Sequence, residues 1–209
     1  MSDVMTFLHA VLQVSMVAML VKEGLIMIPL LAASLTVIIE RGVFWRRLRK
    51  HEVGMAVLQY VAAREIEQAR TMAHASYHPV ARVLSAGLAY QYHAPGIAMA
   101  AVAQAELQRV KAYFSVLDTI ITLAPLLGLL GTITGMMSAF GLVSETGLGQ
   151  PTAITSGIAE ALIATATGLC VALMTLLPYN YFRAKVEHVT ERMEEQATRL
   201  ELFLSRREV

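Results

Sequence analysis

The chain has few charged residues and almost no cysteine for its length of 209 residues. Asp, Glu, Lys and Arg make up 16% of the sequence, whereas hydrophobic residues make up 56%. This composition excludes an ordinary soluble domain and indicates an integral membrane protein. Cys170 is the only cysteine, so the chain has no intrachain disulfide. The formal net charge of +1 does not indicate a nucleic-acid partner, and we expect none.

Motifs that would indicate an enzyme are also missing. The sequence has neither a Gly-x-x-x-x-Gly-Lys-Ser/Thr phosphate loop nor a nucleophile elbow. His74 and His78 have a spacing that suits a metal on a helix, but no third ligand is near, so an ordinary surface pair is the simpler interpretation. The N-terminus has no basic region followed by a cleavage site, so we expect no removable signal peptide. We therefore expect no enzymatic activity, no cofactor and no metal.

Long uncharged stretches are the strongest positive signal in the sequence. A transmembrane helix needs about 20 apolar residues. Residues 119–143 and 161–182 contain no Asp, Glu, Lys or Arg and are long enough to span. Residues 24–39 are also uncharged but form a shorter stretch, so we expect them to span with help from their flanks, with Arg41 snorkelling towards the interface. The sequence therefore predicts an all-α membrane protein with three transmembrane helices.

The distribution of Lys and Arg predicts the orientation of these helices. Basic residues follow the first span, precede the second and follow the third, whereas the connection 144–155 has none. The positive-inside rule then places the N-terminus outside and the C-terminus inside. The predicted order is an interfacial helix on the outer face (1–21), a first span (22–41), a cytoplasmic helical insertion (42–118), a second span (119–143), a short periplasmic loop (144–156), a third span (157–181) and a cytoplasmic C-terminal helix (182–209).

The N-terminal stretch 4–20 has two interpretations. It is apolar, with Thr6, His9 and Gln13 at helical spacing, and this polar stripe favours a helix lying in the interface. The alternative is a fourth span that turns back at Lys22-Glu23-Gly24 and places the N-terminus inside.

Apolar stripes predict a helical bundle in the cytoplasmic parts. We expect helices in the insertion to be broken at His78-Pro79 and at Ala94-Pro95-Gly96. A stripe at steps of three and four predicts one unbroken helix that continues into the second span; its residues are Ala103, Leu107, Val110, Phe114, Leu117 and Ile121. A second stripe follows the third span and consists of Phe182, Val186, Val189, Met193, Ala197, Leu200 and Leu204.

Glu160 lies near the start of the apolar run 158–181. A carboxylate at membrane depth is costly, so it normally faces a bundle interior or a water-filled path and marks an ion route. The alternative is that Glu160 only complements the positive end of the helix dipole. A reciprocal capping box is not supported, because Gly157 stands three residues before it where Ser or Thr is needed.

Small and hydroxyl-bearing residues surround this carboxylate in the sequence. Helices associate in lipid through small residues that allow close approach, and the predicted packing glycines are Gly128, Gly131, Gly135, Gly157 and Gly168. Hydroxyls donate and accept hydrogen bonds, so several of them can hold a short water chain: Thr132, Thr134, Ser138, Thr165 and Thr167. The alternative is that these hydroxyls bond to their own helix backbone and the glycines serve packing alone.

Two stretches resemble the MotA/TolQ/ExbB proton channel family, and most of all its ExbB and TolQ branch. They are Pro125-Leu-Leu-Gly-Leu-Leu-Gly-Thr-Ile-Thr-Gly-Met-Met-Ser-Ala-Phe140 and Gly157-Ile-Ala-Glu-Ala-Leu-Ile-Ala-Thr-Ala-Thr-Gly-Leu169. The segment His78-Pro79-Val-Ala-Arg82 is also similar, and the three-span layout extends the resemblance over nearly the whole chain. Where the family often has Ala-Ile-Pro-Ala, this chain has Ala172-Leu-Met-Thr175 followed by Pro178, so any helix kink is displaced or reduced.

The resemblance implies a proton-driven motor or stator subunit of a bacterial inner membrane. It implies a homopentamer whose pore encloses the single span of an ExbD- or TolR-like partner with a membrane aspartate. In this family a glutamate and threonines line the proton route, which corresponds to Thr132, Thr165 and Glu160 here. It further implies that work passes to a TonB- or TolA-like energy transducer. Two alternatives remain open: a flagellar-type, MotA-like stator and a non-conducting membrane scaffold. The choice between H⁺ and Na⁺, and the process that is driven, also remain open.

Overall fold

A computed structural model describes residues 27–48, 53–146 and 151–205 of the chain. In these ranges all regular structure is helical, which confirms the predicted all-α class. The helices are α1 (Met27–Leu48), α2 (Gly54–Ala62), α3 (Ile66–Ala75), α4 (Pro79–Ala89), α5 (Pro95–Val110), α6 (Phe114–Thr146) and α7 (Pro151–Ser205). The predicted N-terminal helix, interfacial or spanning, lies outside the described residues.

Three segments of the described chain are long and apolar enough to cross a membrane. They are Met27–Leu48, Pro95–Gly141 and Thr155–Ser205, with mean hydropathies of 1.7, 1.9 and 2.0 in their most apolar windows. They contain most of the first and second predicted spans and all of the third. The protein is therefore a multi-pass membrane protein with three candidate membrane-spanning helices.

The helices belong to two compact units. The first, which we call the three-helix unit, consists of α1 up to Ile38 together with Ser115–Tyr179 from α6 and α7. Its apolar core contains Ile120 and Ala124 from α6 and Val171 and Ala172 from α7, and Leu30 and Leu31 of α1 pack against it. Small and β-branched side chains dominate this core, as expected where helices pack closely without water.

The second unit, which we call the bundle unit, consists of Ile39–Phe114 and the chain from Asn180 onward. Its core joins α2, α3, α4 and α5 to the C-terminal part of α7 through Val57, Leu58, Val61, Ala69, Ala73, Val80, Val83, Leu84, Leu88, Met99, Val189, Met193, Leu200 and Leu204. The last four belong to the predicted C-terminal stripe, whose burial in a helical bundle is confirmed. An amphipathic helix of this length places its apolar face against other helices because exposure to water would be unfavourable.

The two predicted breaks in the bundle unit are also confirmed. Helix α4 begins at Pro79, and the Nδ1 of His78 accepts a hydrogen bond from the Val80 N–H at 3.3 Å. Helix α5 begins at Pro95, after Ala94 in the left-handed region with φ 56°. Proline is favourable at the first position of a helix because that position has no intrahelical use for its N–H.

The prediction of one unbroken helix from Ala103 to Ile121 is wrong. Helix α5 ends at Val110, and α6 begins at Phe114 after a turn in which Tyr113 has φ 64°. The buried guanidinium of Arg41 donates from Nη1 to the carbonyl oxygens of Arg109 and Val110, at 3.3 and 3.4 Å. In a continuing helix these carbonyls would accept from the N–H groups of Tyr113 and Phe114; here they accept from Arg41, and the Arg109 carbonyl also accepts from the Ala112 N–H at 3.4 Å.

The side chain of Arg41 is buried against protein, and the expectation that it snorkels towards the membrane interface stays a prediction. Its side chain is only 4% exposed, and its guanidinium also donates to both carboxylate oxygens of Glu40 at 2.6 and 2.9 Å. The rings of Phe44 and Tyr113 flank it at 4.7 and 5.3 Å. A planar cation with five donors suits this position, because it bonds to carbonyls and a carboxylate while it stacks on aromatic faces.

Candidate functional site

Helices α6 and α7 approach each other closely in the three-helix unit. A Cβ added to Gly168 would lie 2.5 Å from the carbonyl oxygen of Ala124, and one added to Gly157 would lie 2.6 Å from the Cβ of Ala139. At Gly128 the nearest atom would be the carbonyl oxygen of Ala164, at 2.9 Å. Side chains at these positions would force the two backbones apart.

The other two predicted packing glycines lie in the same stretch of α6. A Cβ at Gly135 would lie 3.2 Å from the Cβ of Ala161, which is a tight but less severe contact. Gly131 is half-buried. Ala161 and Ala164 are each 3% exposed, so α7 presents a small-residue face to α6 in the described region.

These contacts define an antiparallel register between the two helices. Gly128 faces Ala164 to Gly168, and Gly135 faces Gly157 to Ala161. Glu160 is therefore at about the same depth as Gly135. At a rise of 1.5 Å per residue, Glu160 and four hydroxyls lie within one zone that is about 16 Å deep along the helix axes. The hydroxyls are those of Ser138, Thr132, Thr165 and Thr167. This depth is about half of the hydrocarbon thickness of a bilayer.

Within this zone, Glu160 lies at the edge of the packed α7 face. It is half-buried, and Ala164 and Val171, one and three turns further along the same side, are buried at 3% and 4% exposure. Thr167 lies between them along this side and is half-buried. The carboxylate and this hydroxyl therefore lie at the boundary between the α6–α7 contact and the outer surface of the described unit.

The hydroxyls make two kinds of hydrogen bond. Thr165 donates across the interface to the carbonyl oxygen of Gly128 at 3.2 Å. The others donate to their own helix: Thr132 to Leu129 O at 2.6 Å, Thr134 to Leu130 O at 3.2 Å and Gly131 O at 3.1 Å, Ser138 to Thr134 O at 3.0 Å, and Thr167 to Ile163 O at 2.8 Å. A hydroxyl that donates in this way retains lone pairs that accept from water. The roles of these residues and of Glu160 in a proton pathway stay predictions.

A further polar contact in the three-helix unit was missed by the sequence reasoning. Ser34 of α1 and Thr175 of α7 are 1% and 0% exposed, and their hydroxyl oxygens are 2.7 Å apart. Thr175 gives its single proton to Val171 O at 2.8 Å, so Ser34 donates to Thr175. The signal in the sequence was Thr175 itself, which ends the segment 172–175 that departs from the family pattern.

In the bundle unit, the similar segment His78–Arg82 has a packing role. His78 caps α4, as described above, and Arg82 donates from Nη1 to Glu106 Oε1 at 2.5 Å. The side chain of Glu106 is 5% exposed, and its Oε2 also accepts a hydrogen bond from Nη1 of Arg109 at 3.4 Å. This buried carboxylate of α5 therefore joins α5 to α4 through Arg82, while Arg109 bonds to it from within α5. In the described ranges no three His, Cys, Asp or Glu side chains are grouped so that they could hold a metal ion.

Comparison with known proteins gives consistent matches. The MotA/TolQ/ExbB proton channel family matches residues 75–195. The chain is 40% identical to the biopolymer transport protein ExbB-like 1 of Synechocystis sp., over 83% of this chain and 71% of that protein. It is 35% identical to ExbB-like 3 of the same organism, over 88% of this chain and 92% of that protein. The Tol-Pal system protein TolQ of Pseudomonas aeruginosa is 33% identical over 53% of this chain and 48% of its own length.

Proposed function

Because the chain belongs to the MotA/TolQ/ExbB proton channel family, we propose that it is the channel-forming subunit of a proton-driven complex of the ExbB–ExbD or TolQ–TolR type. In this proposal five copies form a pore in the bacterial inner membrane, with the N-terminus outside and the bundle unit in the cytoplasm. The pore encloses the transmembrane helix of a single-span partner with a membrane aspartate. The ExbB-like and TolQ relatives support this branch.

The proposed mechanism assigns proton transfer to Glu160 and the neighbouring hydroxyls. Glu160 takes up a proton that reaches it past Ser138 at the outer end of the zone, and waters bonded to Thr132, Thr165 and Thr167 pass it to the partner's aspartate. The membrane potential supplies about 2.3 kcal/mol per proton for each 100 mV. The complex passes this work to a TonB- or TolA-like transducer, and the chain itself carries out no enzymatic reaction.

One observation carries the proposal: the carboxylate of Glu160 and several hydroxyls lie at similar depths along the close contact between α6 and α7. A helix pair that served only to anchor the chain would have no need of an ionisable group at the edge of its small-residue face. Close approach at Gly128, Gly157 and Gly168 holds the two helices in one register, so the polar groups keep fixed relative depths.

The first test is proton flux through Glu160→Gln protein reconstituted with its partner in liposomes. We expect partner-dependent flux to fall at least tenfold, because glutamine is nearly isosteric with glutamate but has no acidic proton. Glu191→Gln is the matched control: it is the same change on the same helix, at an exposed position outside the predicted span. Wild-type flux through Glu160→Gln would refute the role of Glu160 in the proton route, whereas no flux through the wild type with its partner would favour the non-conducting scaffold.

Thr165 allows a test that separates conduction from packing. Its hydroxyl bonds to Gly128 O, so Thr165→Val removes a cross-helix hydrogen bond together with a group on the proposed route. We expect flux to fall while the oligomer survives gel filtration in mild detergent, and Thr165→Ser to restore flux. Loss of the oligomer in Thr165→Val would instead assign the residue to packing.

A further inference from the structure

The bundle unit contains a groove at the point where the first apolar span ends. The groove has a volume of about 610 Å³, and Arg47 and Arg109 line it together with apolar groups of Val43, Phe44 and Leu48. Tyr77, which is 74% exposed, completes the lining beside Glu40. Guanidinium groups bind phosphate, and apolar walls contact acyl chains. A groove that has both is therefore complementary to the two parts of a phospholipid.

The charges around the groove favour an anion. Glu40 accepts both of its hydrogen bonds from the buried Arg41, at 2.6 and 2.9 Å. Arg109 is bonded to Glu106, and this carboxylate also accepts a hydrogen bond from Arg82. Among the described residues, the lining of the groove therefore contains two arginines and one carboxylate, and that carboxylate is bonded to Arg41. Arginine forks match the oxygens of a phosphate, which makes a phosphodiester the fitting ligand.

The position along α1 corresponds to the headgroup layer. The uncharged stretch ends at Ile39, and Arg47 follows it by about 12 Å along the helix axis at 1.5 Å per residue. Helical side chains lean towards the N-terminus, so Arg47 reaches back towards the apolar stretch. The headgroup region extends about 5–8 Å beyond each face of the hydrocarbon core. Val43 and Phe44 follow Ile39 by about 6 to 8 Å, so they lie in the headgroup layer, next to the upper ends of the acyl chains.

We infer that this groove binds the headgroup and upper acyl chain of an anionic phospholipid of the cytoplasmic leaflet. The inference rests on the proposed orientation, in which this end of α1 is cytoplasmic, and it concerns a site separate from the proton route. Basic pockets beside transmembrane helices on the cytoplasmic side are suited to anionic headgroups. The apolar wall distinguishes the lipid from free phosphate, which would gain nothing from Val43 and Leu48.

The single tryptophan provides the test. Trp45 is the only tryptophan of the chain, and its ring lies 5.8 Å from that of Phe44 in the groove. Phosphatidylglycerol brominated on its acyl chains is titrated into the purified protein in mild detergent, and quenching of Trp45 fluorescence gives the affinity. Brominated phosphatidylcholine is the neutral comparison. We expect saturable quenching by the anionic lipid at concentrations where the neutral lipid has little effect.

The variant Arg47→Gln/Arg109→Gln should bind phosphatidylglycerol about 30-fold more weakly, which equals about 2 kcal/mol for two basic residues. Arg46→Gln/Arg70→Gln is the matched control, since both arginines are exposed and neither lines the groove. Arg47→Lys/Arg109→Lys keeps the charge with a small structural change and should bind with intermediate affinity. Circular dichroism and gel filtration verify the fold of each variant.

Three outcomes would overturn the inference. Equal affinities of the groove variant and its control would show that the anionic lipid binds elsewhere. Equal quenching by the anionic and neutral lipids would show that the groove does not recognise the phosphodiester charge. Displacement of the brominated lipid by millimolar inorganic phosphate would assign the site to a soluble anion. Failure of the proton-flux experiments leaves all three readouts unaffected, so this site and the proposed function are tested independently.

Discussion

Replacement of Gly168 by alanine tests the close approach of α6 and α7 directly. The added Cβ would lie 2.5 Å from the carbonyl oxygen of Ala124 and 3.1 Å from the Cα of Gly128. Ordinary carbon–oxygen contacts begin at about 3.3 Å, so the backbones must separate by roughly 0.8 Å. Because the blocking atom belongs to a helix backbone, a change of rotamer cannot relieve the contact. Overpacking of this kind costs about 1–3 kcal/mol.

A matched alanine variant removes the effect of helix propensity. Alanine stabilises a helix by about 1 kcal/mol relative to glycine, so Gly168→Ala alone has a net expected cost of about 0–2 kcal/mol. Gly141 lies in α6, and a Cβ there would meet nothing within 4 Å. Gly141→Ala has the same propensity gain without the collision. The difference between the two variants should therefore isolate the collision, at about 1–3 kcal/mol.

The assay is reversible unfolding of both variants in mixed micelles with increasing SDS, followed by far-UV circular dichroism. The wild type sets the reference, and gel filtration establishes that the starting oligomers are equal. We expect Gly168→Ala to unfold at lower SDS than Gly141→Ala. If the two variants are equally stable, or if Gly168→Ala is the more stable, then the helices do not approach as described. The shared depth of Glu160 and the hydroxyls would then lose its structural basis.

Two further buried contacts make testable predictions in the same assay. A double-mutant cycle on Ser34→Ala and Thr175→Val should give a coupling of about 0.6–1.7 kcal/mol, the range for hydrogen bonds between membrane helices. Thr36→Val is the control, because in the described structure the Thr36 hydroxyl bonds only to its own helix, and it should change stability little. A coupling near zero between Ser34→Ala and Thr175→Val would refute the cross-helix bond. Glu106→Ala should cost about 1–3 kcal/mol because it leaves Arg82 and Arg109 without their buried carboxylate. Glu195→Ala, which removes an exposed pair, should cost at most about 0.5 kcal/mol; equal losses would mean that Glu106 contributes no more than a surface charge.

The sequence predicted most of the fold because apolar residues recur along the chain at helical spacing. The C-terminal stripe from Val189 to Leu204 is buried, and the breaks before Pro79 and Pro95 occur where proline and its neighbours interrupt a helix. These features are local, so a single sequence carries them. The family resemblance is also local, because it rests on contiguous stretches of the second and third spans.

The sequence alone could not predict contacts between distant segments. The apolar period continues through the break at Lys111–Tyr113, where Arg41 bonds to the last carbonyls of α5 and Tyr113 has a positive φ, and neither feature can be predicted from the period. The Ser34–Thr175 hydrogen bond joins residues far apart in the chain, and neither residue is unusual for its own helix.

The sequence by itself therefore determined the class of protein, its three apolar spans and the residue types available for proton transfer. Tertiary structure decided the antiparallel register of α6 and α7, and with it the depth that Glu160 shares with the hydroxyls. It also decided that Thr165 bonds across the interface while Thr132 and Thr167 bond within their helices. The physical reason is that helical periodicity specifies which side of a helix is apolar, whereas register depends on which small residues can meet without collision.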